Sequence, residues 1–314
     1  MARYVKISTV GSTPVTADDS LAFPEARRCA EEQLLAQIQP VQYDKPDLIV
    51  LPEMCDIPAN YAMPKRLEYA AWRGDAHREF FAGIARENRC NVAYCTFRRG
   101  GGDYFLNTMF LLDRAGAVAG TYDKNHCTMG ELKHRVLCGV KAPVFQLDIG
   151  RVACAICYDL NFDVLREQYK AQKPELILFS SMYHGGLMQQ VWALTCRSYF
   201  VGSISHSRPS AILNPLGETL AYSTNYVNHA TASVNLDYAL LHNAAGNNKF
   251  RQIKERYGPG VTVFDPGNLG FRLVTSEMAD IGMADVVREF GLEEVDDLFA
   301  RELSEQQKPD NRGC

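Results

Sequence analysis

The stretch Val152-Ala-Cys-Ala-Ile-Cys-Tyr-Asp-Leu-Asn-Phe162, VACAICYDLNF, places two cysteines three residues apart in an apolar run that ends abruptly in polar residues. Four readings compete for it: a redox pair, half of a zinc site, buried filler, or one reactive thiol. Alternate residues of a strand face opposite sides, so Cys154 and Cys157 do not share a face. A redox Cys-x-x-Cys sits at a helix start, where its first thiolate is stabilised, whereas Cys154 lies inside the apolar run. Zinc needs further ligands, and neither a second Cys-x-x-Cys nor a His-Glu-x-x-His occurs. Cys154 therefore reads as a small core hydrophobe. Cys157 stands where the run ends and can project into a cleft, although a second buried thiol is the plainer alternative.

Working outward, Arg151 to Ile156 is the strand that carries this stretch. Asp163 to Gln172 reads as a helix, Glu175 to Ser180 as a strand, Leu187 to Arg197 as a helix and Phe200 to His206 as a strand. Upstream, Tyr4 to Val10 alternates as a strand, and Pro24 to Ile38 places Ala26, Cys29, Ala30, Leu34 and Ile38 on one helical face. Asp47-Leu-Ile-Val-Leu-Pro-Glu53 is a buried strand closed by Pro52. Asp75 to Glu87 is helical and Asn91 to Phe97 a strand. Asn107 to Leu112 and Ala117 to Tyr122 form a hairpin around Asp113-Arg-Ala-Gly116, and Val144 to Leu147 is a strand. A second hairpin turns at Pro215-Leu-Gly217, and Thr231 to Leu236 is the last strand of the series. Helices between groups of strands, with some strands joined by tight turns, imply mixed sheets covered by helices, an α/β layered fold.

Past about Tyr238 the character changes. A Gly/Pro-rich loop, Tyr257-Gly-Pro-Gly260 with Asp265-Pro-Gly267, leads to a helix near Met278 to Phe290. The acidic segment Gly291 to Phe299 follows, with a frayed end. The expected division is a principal domain over 1–240 and a C-terminal extension over 241–314, belonging to the same domain or to an oligomer interface.

With 314 residues, the chain is long enough for a sizeable core. A formal charge of −4 with no basic cluster argues against a nucleic-acid partner. No apolar run reaches the length of about 20 residues needed to span a bilayer, and Met1 to Ile7 lacks a signal-peptide core. The 10 cysteines are scattered, which favours reduced thiols and a cytoplasmic location. A small molecule is the expected partner.

Two further strand ends give Cys157 company. Glu53 follows "LIVLP" directly, and Lys124 lies in Gly120-Thr-Tyr-Asp-Lys-Asn-His-Cys-Thr-Met-Gly-Glu131, just past a hairpin strand. Alone, each is a solvated loop charge. Together, a carboxylate, a fixed cation and a thiol are what a cysteine needs to hydrolyse an amide. A free thiol has a pKa near ~8.5, so a neighbouring base activates it. A fixed ammonium can stabilise the oxyanion that forms.

In that order, "LIVLPE", "YDKNH" and "CAICYDLNF" resemble the nitrilase superfamily of carbon–nitrogen hydrolases, over roughly the first 240 residues. The resemblance implies a four-layer α-β-β-α sandwich with mixed β-sheets. It also implies subunits that pair into a homodimer or higher homo-oligomer, and catalysis without metal or organic cofactor. Carried over by position, Glu53 is the general base, Cys157 the nucleophile and Lys124 the stabiliser of the tetrahedral intermediate, with the Tyr158 N–H completing the oxyanion hole. Glu131 fits a supporting glutamate that orients Lys124 or substrate, with a helix-start acid as its alternative. Tyr183 and His184, in Ser181-Met-Tyr-His-Gly-Gly186, are candidate substrate contacts. Cys157-Tyr158-Asp159 resembles the amidase and N-carbamoyl amine hydrolase branches, whereas nitrilases carry Trp-Glu after the cysteine. Related amidases often have arginine where Asn161 stands, and the Glu-Asn pair usual after Arg197 is missing, which leaves Arg197 a structural role. The expected activity is hydrolysis of a small amide or ureido compound through a thioester, with release of ammonia. Nitrile hydrolysis, amide-forming acyl transfer and a non-catalytic scaffold stand as alternatives.

Overall fold

The computed structural model describes residues 1–11, 13–205, 209–243 and 247–313. Contacts divide the chain into two compact units, residues 5–233 and residues 1–4 with 234–314.

The larger unit holds two mixed sheets. The first contains β1 (Tyr4–Val10), β2 (Leu48–Val50), β3 (Asn91–Arg99), β4 (Phe105–Leu112), β5 (Val118–Asp123) and β6 (Val136–Leu137), closed on the far side by β13 (His229–Asn235). Its order is β13-β1-β2-β3-β4-β5, with β6 beside β4. Strands β1, β2 and β3 run parallel, and β3, β4 and β5 antiparallel. The second sheet contains β7 (Phe145–Leu147), β8 (Gly150–Ile156), β9 (Leu176–Ser181), β10 (Tyr199–Ile204), β11 (Ala211–Leu213) and β12 (Thr219–Tyr222) in the order β12-β11-β10-β9-β8-β7. Its centre, β8-β9-β10, is parallel. All three β2 residues and all six of β9 are buried, as expected of parallel strands covered on both faces.

Hydroxyls stitch the two sheets together. Thr9 Oγ1 donates to the Gly202 carbonyl at 2.9 Å, Ser203 Oγ to Val10 at 2.8 Å and Ser180 Oγ to Leu51 at 2.7 Å. Outside the first sheet, α1 (Phe23–Gln42) and α3 (Ala76–Asn88) pack Leu34, Ile38, Phe81 and Ile84 against Ile49, Val92, Tyr94 and Phe110. Each such buried side chain stabilises by about 1.5–3 kcal/mol. On the second sheet, α5 (Asp163–Gln172) and α6 (Met188–Cys196) supply buried Tyr169 and Trp192. Tyr169 donates its O–H to the Cys154 carbonyl at 2.7 Å, and Trp192 its indole N–H to Leu160 at 3.0 Å. The layering is helix, sheet, sheet, helix, as expected.

The sequence reading passed over α2 (Met63–Arg73). Its inward face contains a charge: buried Arg73 pairs with Asp56 and donates to Thr96 Oγ1 at 2.9 Å and to the Phe97 carbonyl at 2.8 Å. The short α4 (Met129–Lys133) begins at a capping box in which Thr128 and Glu131 bond reciprocally.

In the smaller unit, β14 (Tyr238–His242), β16 (Phe271–Ser276) and β15 (Val261–Phe264) form an antiparallel sheet in that order. With α7 (Asn247–Tyr257), α8 (Met283–Glu289) and α9 (Val295–Gln306), it encloses a core that includes Leu241, Phe250, Ile253, Val261, Val274 and Val286. The Met1 ammonium bonds Asp237 Oδ2 at 2.6 Å, and the Ala2 N–H bonds the Met278 carbonyl at 2.8 Å. Two expectations for this region are corrected. The loop expected at 257–267 contains β15, whose four residues are too few to show alternation. The acidic segment expected at 291–299 holds the start of α9, whose Val295 and Leu298 are buried. Among the described residues no helix is long and apolar enough to cross a membrane.

Candidate active site

The three residues singled out in the sequence leave their strands at one place. Glu53 follows β2, and Lys124 follows β5, its N–H bonded to the Asn107 carbonyl of β4 at 2.9 Å. Cys157 follows β8, whose Ile156 is in register with Ser180 of β9. Both edges of the site turn sharply: Met54, directly after Glu53, has φ of 51°, and Cys157 has φ of 48°. Left-handed backbone is rare and strained for residues with a Cβ.

Lys124 is 1% exposed, and Glu53 and Glu131 are each 4% exposed, so three charges are buried together. The Lys124 ammonium donates to Glu53 Oε1 at 3.0 Å and to both oxygens of Glu131 at 3.0 Å. Burial alone would lower the lysine's pKa, but Glu53, Cys157 and Glu131 hold it well above its ordinary value. Burial would raise Glu131, yet Lys124, Asn107 and Thr128 bring it below the ordinary carboxyl range. Glu131 combines its contact to Lys124 with a helix-start role, since Oε2 also accepts the Thr128 N–H at 2.7 Å to cap α4.

The Cys157 thiol, partly buried just past the end of β8, is influenced electrostatically by Glu53, Lys124 and Ser181. Burial and the Glu53 carboxylate push it up to about 12, against the opposing pull of Lys124 and Ser181. It rests as a thiol beside a carboxylate. Cys154, by contrast, is fully buried within β8, and the described cysteines are all free.

Asn107 was missed in the sequence. Its buried amide donates to Glu53 Oε1 at 2.8 Å and to Glu131 Oε1 at 2.9 Å, fixing the two carboxylates relative to each other. The available signal was an asparagine in the otherwise apolar run of β4. The Met182 N–H donates to Glu53 Oε2 at 3.1 Å.

Asp159 was also missed, and it ties the Cys157 turn to the Lys124 loop. Fully buried, it accepts the His126 N–H at 2.8 Å and His126 Nδ1 at 3.0 Å on Oδ1. On Oδ2 it accepts the Tyr122 O–H at 2.7 Å and the Ile156 N–H at 3.0 Å. Asp159→Asn places an amide NH2 against donors whichever way it flips, orphaning the Ile156 N–H in one orientation and the His126 N–H in the other. The expected outcome is a loss of about 1–3 kcal/mol in urea denaturation, with kcat falling more than KM changes.

Tyr183 sits beside Cys157 and Asn161, its phenol pushed up to about 12 chiefly by burial. Tyr158 is exposed and edge-on to Phe162, which stacks on His126 at 3.9 Å. His184 is occupied with its own loop: Nδ1 accepts the Gly186 N–H at 3.1 Å. Asn161 donates to the Tyr158 carbonyl at 3.2 Å, and Arg197 to the Leu194 carbonyl at the end of α6 at 2.7 Å. Glu53 lines a small cleft with Met54, Arg66, Met182 and Ser205. His206, the expected end of β10, lies outside the described residues.

A thiol, an ammonium and two carboxylates gathered at the ends of strands from two stacked sheets mark a hydrolase, and the comparisons with known proteins agree. The chain belongs to the carbon–nitrogen hydrolase family, whose sequence model matches residues 6–237. It is 22% identical over 255 residues to a chloroplastic omega-amidase of Arabidopsis thaliana, covering 72% of this chain and 66% of that protein. In fold it is similar to Saccharomyces cerevisiae Nit3, a member of the nitrilase superfamily (TM-score 0.65, 14% identity, 82% of this chain and 95% of that one). It is also similar to an amidase from Nesterenkonia sp. (TM-score 0.61, 17% identity, 74% and 90%).

Proposed function

We propose that the protein hydrolyses the C–N bond of a small amide or N-carbamoyl compound through a thioester on Cys157, releasing ammonia. The observation that carries this reading is the convergence of the Cys157 thiol and the Lys124 ammonium on one carboxylate, Glu53. Glu53 Oε1 is occupied by Lys124 and Asn107, while Oε2 accepts a single backbone N–H and keeps a lone pair for the thiol proton.

In the proposed course, the thiol proton passes to Glu53 as sulfur bonds the amide carbon, and the carbonyl π pair moves to oxygen. The Lys124 ammonium and the Tyr158 N–H stabilise that oxyanion. Its collapse expels the amine, which takes the proton held by Glu53. Water then attacks the thioester, deprotonated by Glu53, and Cys157 is released as a thiol. Lys124 keeps its proton throughout and is held by Glu131, while Asn107 fixes the two carboxylates. Tyr183 borders the acyl group. The amidase and omega-amidase relatives favour an amide over a nitrile.

The test is ammonia release from short amides, ω-amides, N-carbamoyl amines and nitriles. Turnover of an amide or ureido compound is the expected result. Turnover of nitriles alone would replace the proposal with nitrile hydrolysis, and thioester formation without ammonia-coupled turnover in water would point to acyl transfer.

A further inference from the structure

Ser181 closes β9, next to the strand end that bears the nucleophile: Ile156 and Ser180 are register partners, so Cys157 and Ser181 are the next residues on adjacent parallel strands. The serine is fully buried. Its Oγ accepts the Tyr183 N–H at 2.9 Å and donates its one proton to the Tyr183 carbonyl at 2.6 Å. This is a local side-chain turn of the kind serine often makes, but the register also sets Ser181 beside the turn that carries the Cys157 sulfur.

When the thiol gives up its proton, the sulfur acquires a buried negative charge and needs a donor. In the resting site the three Lys124 protons meet three carboxylate contacts, and in the proposed course the one that is freed goes to the oxyanion and not to the sulfur. The Ser181 O–H is the donor that can turn without moving its backbone. Turning trades a neutral bond to a carbonyl for a charge-assisted one, which is stronger.

We propose that Ser181 is a further catalytic residue, whose hydroxyl rotates from the Tyr183 carbonyl to the Cys157 sulfur as Glu53 takes the thiol proton. The serine keeps its own proton throughout, so only the hydrogen bond changes partner. This rests on Cys157 being the nucleophile, as proposed above.

The experiment measures iodoacetamide alkylation of Cys157 by intact mass across about pH 7 to 9, together with kcat and KM on the amide turned over. Below the thiol's pKa the alkylation rate tracks the thiolate fraction. Ser181→Ala is expected to lower it about tenfold to a hundredfold at every pH, with kcat falling alongside and KM little changed. Ser181→Thr restores both, whereas Ser181→Val, of the same shape without the hydroxyl, does not. The Thr and Val pair decides the matter even if the alanine variant folds poorly. An alkylation profile overlaying wild type in Ser181→Ala or Ser181→Val, or a change in KM alone, would overturn the role. If Cys157→Ala retained turnover, the nucleophile assignment would fall first and this inference with it.

Discussion

Cys157→Ala is expected to bring ammonia release below about a thousandth of wild type, while Cys154→Ala keeps most of it. The two thiols lie three residues apart, but the backbone separates their roles. Cys154 is fully buried in the middle of β8, so trimming it to alanine leaves a small void and costs about 1 kcal/mol. Cys157 stands past the strand end, where the proposed mechanism has Glu53 take its proton. In that mechanism the sulfur carries the acyl group, so its removal leaves only binding and oxyanion stabilisation. Ammonia assays on both variants, with circular dichroism to confirm folding, decide the point. An active Cys157→Ala enzyme would end the thioester mechanism.

Lys124→Met should be the most disruptive change at the site. It leaves Glu53 and Glu131, each 4% exposed, without the cation they share. Removing one partner from a buried ion pair costs about 3–5 kcal/mol, and losing the oxyanion donor costs a further ~100- to 1,000-fold in kcat. The pH dependence of stability supplies a sharper signature. In the wild type the Glu131 pKa is lowered by Lys124, Asn107 and Thr128. Its stabilising contribution is therefore present above the unfolded carboxyl value and is lost as pH falls through the folded one. In Lys124→Met the stranded carboxylates have raised folded values, so the variant binds more protons folded than unfolded and gains stability as pH falls. Between about pH 7 and 5 the urea midpoint of Lys124→Met should rise as pH falls, whereas the Glu131 contribution in the wild type stays fully present there and is lost only below the unfolded carboxyl value of about 4.3. Parallel curves would mean that the three charges are not coupled as the geometry indicates.

Much of this was legible in the chain itself, for reasons that vary along it. Strand β1 and helix α5 match their expected bounds because each has a clean local signal: alternation in Tyr4–Val10 and an uninterrupted polar–apolar period in Asp163–Gln172. Glu53, Lys124 and Cys157 could be found because a charged or nucleophilic residue at the end of an apolar strand is conspicuous. Asn107, Asp159 and Ser181 could not. Their significance lies in which strand end stands beside which, and that is fixed by sheet order and register, not by local composition. Asn107 meets Glu53 and Glu131 from 54 and 24 residues away. The small sheet β14-β16-β15 escaped for a related reason, since short strands paired across long connections leave little periodicity to read.

The left-handed backbone at Cys157 bears on any attempt to engineer this protein. A side chain at φ of 48° costs about 1 kcal/mol or more relative to glycine. Cys157→Gly should therefore melt at a higher temperature than Cys157→Ala, and can match or exceed the active enzyme. A library sorted only by heat tolerance or expression would be enriched in clones that have lost their chemistry at this position. Selection on this scaffold has to score turnover and durability together.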